Sequence, residues 1–149
     1  MTIPTHLTGI IEFCNGAVIT VITSFDVYAH GHSPIEIYGT EGSMQVPDPN
    51  TFGGPVRVFR RGYDEWRDMP LSHIYTENSR SIGAAEMAYS MQVGRPHRVC
   101  GDLAYHVLEI MLSFQKSSDA RARVELQSTC ERPKALPLGL EPGQVELED

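Results

Sequence analysis

Residues 6–29 read HLTGIIEFCNGAVITVITSFDVYA. Two runs rich in β-branched and aromatic residues, 6–14 and 17–29, meet at Asn15-Gly16. That pairing predicts a hairpin, because the central residues of a tight hairpin turn need φ > 0, which Asn and Gly tolerate best. A two-residue loop would set Cys14 opposite Ala17 and put Ile11, Phe13, Thr20, Ile22 and Ser24 on one face. Thr8, Ile10, Glu12, Ile19, Val21, Thr23, Phe25 and Val27 would lie on the other face. Neither face carries the charges of a solvated one. The face with Ile11, Phe13, Thr20, Ile22 and Ser24 is therefore the expected oligomer interface, and helices cover the opposite side.

The strand pattern continues. PIEIYG (34–39) and SMQV (43–46) flank a turn at Thr40-Glu41-Gly42, and PVRVFR (55–60) alternates after a proline-framed break. Residues 63–78 have no period and read as a loop with room for a short strand. From Ser81, Ile82, Ala85, Met87, Ala88 and Met91 recur near helical spacing until Gly94 and Pro96 stop them. A second helix, with Asp102 as N-cap, carries the stripe Leu103, Val107, Leu108, Ile110, Met111 and Phe114 and ends around Lys116–Ser118. ARVELQ (122–127) reads as a last strand. Strands first and helices afterwards give an α+β class: an open, mostly antiparallel sheet with two helices on one face and the other free for oligomerisation. The domain spans residues 1–126, and 127–149 is an extended or mobile tail.

Composition bounds the function. The 149 residues make one domain, and a formal net charge of −7 argues against a nucleic-acid surface, which needs a Lys/Arg excess. Three scattered cysteines without a C-x-x-C fit a reducing compartment. The N-terminal MTIPTHLTG has no basic segment leading into an apolar run, so no signal peptide is read there. No stretch reaches the roughly 20 apolar residues of a membrane span. A cytoplasmic protein without a membrane partner is the expectation.

Residues 30–36, HGHSPIE, raise a metal question. His30, His32 and Glu36 would share a face on a continuous strand, and imidazole with carboxylate suits zinc, iron or manganese. The His-x-His followed by a glutamate is similar to the first cupin motif. Pro34 breaks the run, however, and no second histidine motif follows, so no metal is assigned. Glu36 reads as a cross-strand or rim carboxylate, and the histidines as polar groups at a cleft. Asp102 and His106 stand four apart and read as an N-cap plus a surface histidine. Asp64, Glu65 and Asp68 read as a solvated loop. There is no G-x-S-x-G, G-x-G-x-x-G or P-loop pattern.

Several separated motifs, in order, resemble the C-terminal domain of the glucose–fructose oxidoreductase / inositol dehydrogenase (Gfo/Idh/MocA) family. They are LTGIIEFCNGAVITVITSFDV (7–27), IEIYGTEGSMQVPDPNTFGGPVRVFRRG (35–62) and GAAEMAYSMQVGRPHRVCGDLAYHVLEIM (83–111). The resemblance implies a domain that carries substrate contacts and the oligomer interface, beside an upstream Rossmann domain holding NAD or NADP. It implies hydride transfer on sugars, polyols or other sugar-like small molecules. The resemblance puts the family's nucleotide fingerprint, its Glu-Lys-Pro segment and its Asp-x-x-x-His segment upstream of the matched stretches; Asp102 and His106 have that last spacing but fall inside the third stretch, not at that place. Hence no catalytic or cofactor-binding residue is carried over, and the chain is not expected to catalyse alone. Tyr28, His30 and His32 match the region that approaches substrate in relatives. The alternatives are a free-standing binding or oligomerisation module and a small cupin-like metalloprotein.

Overall fold

The structure is a computed structural model that describes residues 4–77 and 79–147. Its elements are β1 (His6–Glu12), β2 (Val18–Ser24), β3 (Ile35–Gly39), β4 (Gly42–Val46), β5 (Val56–Arg60), β6 (Arg67–Met69), α1 (Ile82–Val93) and α2 (Gly101–Ala120). The class is α+β with open antiparallel sheets. The strands divide between two sheets rather than forming one: β1-β2, and the meander β3-β4-β5-β6. The chain correspondingly splits into two compact units. The first combines the residues up to His30 with Cys100–Arg132, and the second combines Gly31–Val99 with the residues from Pro133 onward. Among the described residues each unit holds one α-helix, and the second also has a single 3-10 turn at Pro49–Thr51. No helix among the described residues is long and apolar enough to cross a membrane.

In the first unit the Asn-Gly hairpin forms, but its loop has three residues. Glu12 pairs with Val18, and Phe13 N–H donates to Ala17 O at 2.9 Å. Gly16 N–H donates to Phe13 O at 2.9 Å, and Gly16 takes φ 88°. This is the turn-plus-left-handed-residue loop in which glycine is favoured at the last position. The extra residue slips the register by one, and a one-residue slip moves every side chain of one strand to the other face. The expected interface set is thereby split. Thr20, Ile22 and Ser24 lie with His6, Thr8, Ile10, Glu12 and Val18. Ile11, and by the same alternation Phe13, lie with Leu7, Gly9, Ile19 and Val21. The second of these faces meets α2. A Cβ on Gly9 would stand 2.5 Å from the Phe114 ring, so the close approach of helix and hairpin needs a residue without a side chain there.

Helix α2 starts after Cys100, which takes the N-cap position expected of Asp102. Asp102 sits in the first turn, where a negative charge favours the helix dipole. The helix runs to Ala120, and Arg121 turns the chain in a left-handed conformation (φ 51°). The expected strand 122–127 does not form. Gln127 N–H, which a ladder would use, donates instead to Glu109 of α2 at 3.0 Å, and so does the N–H of Ser128 at 2.8 Å.

In the second unit the four-stranded meander has Met44 opposite Val58 and Arg57 opposite Asp68. Phe59 and Trp66 pack edge to face, with centroids 5.7 Å apart. Helix α1 ends at Gly94, which is left-handed, with its N–H on Ser90 O. Its orientation departs from the expected stripe. Glu86 and Ser90 are the buried residues, while Met87 and Met91 are exposed. The tail has no helix or strand among its described residues, and Leu140 and Val145 are among the most deeply buried apolar side chains described. Donors on the unit hold its carbonyls: His73 Nε2 lies 3.0 Å from Leu136 O, and Tyr75 Oη donates to Gln144 O. Residues 133–147 form a packed strap.

Candidate functional site

The three expected substrate-lining residues are not brought onto one element. Tyr28 and His30 lie in the irregular segment after β2, in the first unit, whereas His32 belongs to the second, which opens at Gly31. Tyr28 is fully exposed. His32 immediately precedes a recess of about 130 Å³ lined by Ser33, Pro34, Gln45, Pro47 and Arg57. Sites that enclose a small molecule have about 300–1,000 Å³, so this recess can take only the edge of a ligand. Glu36 does not join the histidines on a strand face. It sits opposite Gln45 on β4, accepts from Tyr38 Oη at 2.8 Å and receives Gln45 Nε2 at 3.4 Å. The Tyr38 hydroxyl, the largest influence, outweighs burial and, with smaller help from the Ser33 N–H, Gln45 and the charge on His32, holds Glu36 below the usual carboxylate range. A carboxylate so engaged is a rim group that stays ionised. Among the described residues no three His, Cys, Asp or Glu side chains gather to hold a metal ion.

Two clusters escape the sequence reading. In the second unit, Glu86 Oε1 accepts from Ser90 Oγ at 2.9 Å, from Arg95 Nη1 at 2.8 Å and from Arg98 Nη1 at 2.8 Å. Its Oε2 accepts from Arg98 N–H at 3.1 Å. Both arginines also reach Glu146 of the strap at 3.0 Å. Glu86 is 5% exposed and Ser90 fully buried. Burial pushes the Glu86 carboxyl up, but Arg95, the Arg98 N–H, Ser90 and the Arg98 guanidinium pull it down to about 2. The only sequence trace of this knot is that Glu86 and Ser90 are four apart on a helix, followed by the basic pair in GRPHR.

In the first unit His106 does not pair with Asp102. Its Nδ1 lies 2.8 Å from Ser128 Oγ, which donates to Glu109 Oε2 at 2.5 Å. Serine, histidine and carboxylate are thus together, but in the wrong order for a nucleophile. The imidazole does not stand between the other two, and Ser128 is pinned by the carboxylate rather than released by a base. The Ser128 hydroxyl, then the N–H groups of Gln127 and Ser128, pull Glu109 down to about 2, too weak a base to activate an alcohol at neutral pH. Its role is to tie the segment after α2 back onto the helix.

What remains as a candidate interaction surface is the β1–β2 face turned away from α2. Ile10, Val18 and Ile22 there are 67%, 62% and 68% exposed, with Thr8 and Thr20 beside them. No protein-family model, curated protein or solved structure matches the chain.

Proposed function

We propose that this chain is the substrate-binding and oligomerisation domain of a nicotinamide-dependent sugar or polyol oxidoreductase, contributing surface rather than chemistry. The observation that carries the reading is the outer face of the β1–β2 hairpin. Fully burying an Ile or Val side chain is worth about 1.5–3 kcal/mol. Ile10, Val18 and Ile22 leave most of that unrealised on one face, where Glu12, paired with Arg123, is the charged member. A second copy using the same face would form an isologous dimer, and stable interfaces cover about 800 Å² per partner. Tyr28, His30 and His32 are the substrate-side residues of this reading, and NAD or NADP belongs to a separate Rossmann domain. A cytoplasmic location, and no nucleic-acid or membrane partner, go with it.

Light scattering after size exclusion at about 100 μM, well above the micromolar range of weak specific pairs, tests the assembly. The expected result is a dimer or larger, converted to monomer by Ile22→Glu, which buries an uncompensated charge. A wild-type monomer at that concentration removes the case for the interface. Calorimetry with NAD and NADP tests the division of labour. Saturable binding tighter than about 1 mM would place the cofactor on this chain and overturn the proposal.

A further inference from the structure

The strap 133–147 closes one side of a second, larger space. A cavity of about 530 Å³ opens in the second unit between strap residues Gly143 and Val145 and the entry to α1. Its volume falls inside the range of sites that hold a small molecule, whereas the recess beside His32 does not. The lining has two characters. Tyr75, Ile82, Ala85 and Val145 give an apolar wall, and the Tyr75 hydroxyl is committed to the strap carbonyl of Gln144. Ser79, Arg80 and Ser81 form the polar side. Arg80 is held in place, its Nη2 donating to Asn50 Oδ1 at 2.5 Å, which leaves the other guanidinium N–H groups for a ligand. The Ser81 hydroxyl makes no capping bond to α1. No carboxylate side chain is among the lining residues described, so the arginine faces no competing anion of its own in the cavity.

We propose that this cavity binds a small molecule carrying one anionic group, a carboxylate or a phosphate monoester, on a compact body. Arg80 pairs with the anion, since a guanidinium fork matches the oxygens of either group, and the body rests on Ile82, Ala85 and Val145. This site is separate from the β1–β2 face and does not depend on the oxidoreductase reading.

Calorimetry on the full chain with inorganic phosphate, D-gluconate and D-glucose decides it. Saturable binding of phosphate, gluconate or both is expected, without binding of neutral glucose. Phosphate alone points to a phosphoryl ligand, and gluconate alone to a carboxylate. Arg80→Ala should weaken binding at least threefold. Ala85→Phe, which fills the cavity from an exposed position, should abolish it while circular dichroism stays unchanged. No binding of either anion up to about 10 mM, a scale of roughly −3 kcal/mol or weaker, overturns the proposal. So does equal binding of glucose, or a loss of less than threefold in Arg80→Ala.

Discussion

Glu86 and Glu109 are two carboxylates in two units with one task. Each stands on a helix, each ties down the irregular chain that follows that helix, and each has its carboxyl pulled to about 2. They differ in surroundings. Glu86 is buried and neutralised by two arginines, which themselves hold Glu146. Glu109 takes its hydrogen bonds from neutral donors, two N–H groups and one hydroxyl, with the charge on Lys116 the smallest influence. The same pKa therefore describes two different commitments. Removing one member of a buried charged knot leaves the rest uncompensated, whereas donors nearer the surface can turn to water.

The largest expected effect follows from that asymmetry. Glu86→Gln should destabilise the second unit by about 3–5 kcal/mol, the usual cost of breaking a buried ion pair from one side. Trp66, the single tryptophan, lies in that unit and reports its urea midpoint by fluorescence. A loss below about 1 kcal/mol, as for an exposed pair, would erase the distinction between the two carboxylates. Next is the strap itself. Leu140→Ala should cost the same unit about 2–5 kcal/mol, as truncations of buried leucines do. An unchanged Trp66 midpoint would mean that the strap is held by its charges alone.

In the first unit, Gly9→Ala should cost about 1–3 kcal/mol, because the new methyl must displace the Phe114 ring. Far-ultraviolet circular dichroism during denaturation, to which α2 as the longer helix contributes most, would follow it beside the Trp66 signal of the other unit. A neutral or stabilising result would show that α2 does not rest on the hairpin through that contact. Glu109→Gln should have the smallest effect, since the amide keeps one acceptor oxygen, and a loss equal to that of Glu86→Gln would break the comparison.

Acid sharpens it further. Both carboxyls have folded pKa values near 2, below their ordinary 4.5. Between these values the unfolded chain binds more protons, so stability rises with pH there. The contribution is present above about 4.5 and is lost as pH falls toward 2. Glu109→Gln should flatten this slope in the α2 signal and leave the Trp66 signal alone. An unaltered slope in α2 would show that Glu109 is not clamped in solution.

The elements were legible wherever the signal was local. Asn15-Gly16 marked the hairpin, and Gly94 with Pro96 marked the end of α1. The register was not legible, because Gly16 suits the left-handed position of a two-residue and a three-residue loop alike. That one residue moved Ile11 and Phe13 away from Thr20, Ile22 and Ser24. Glu86 was hidden for another reason. An apolar stripe normally marks the covered face of a helix, but α1 covers its polar side because Arg95, Arg98 and Glu146 satisfy the charge. Leu140 and Val145 stand alone among prolines and glycines, with no period to reveal that they are plugs. The expected substrate-lining residues Tyr28, His30 and His32 all sit on irregular chain that no pattern constrains, so their surroundings could not be read from the sequence.

The strap also imposes a timetable on synthesis. The second unit is interrupted after Val99 and resumes only at Pro133, with Cys100–Arg132 belonging to the other unit. At about 5–20 residues per second, a ribosome spends roughly 2–7 seconds on that insertion. Throughout that interval the nascent unit lacks Glu146 for its arginines and Leu140 and Val145 for its core. A chaperone that shields apolar grooves would find its substrate in that window, and a stall just after Arg132 would prolong it.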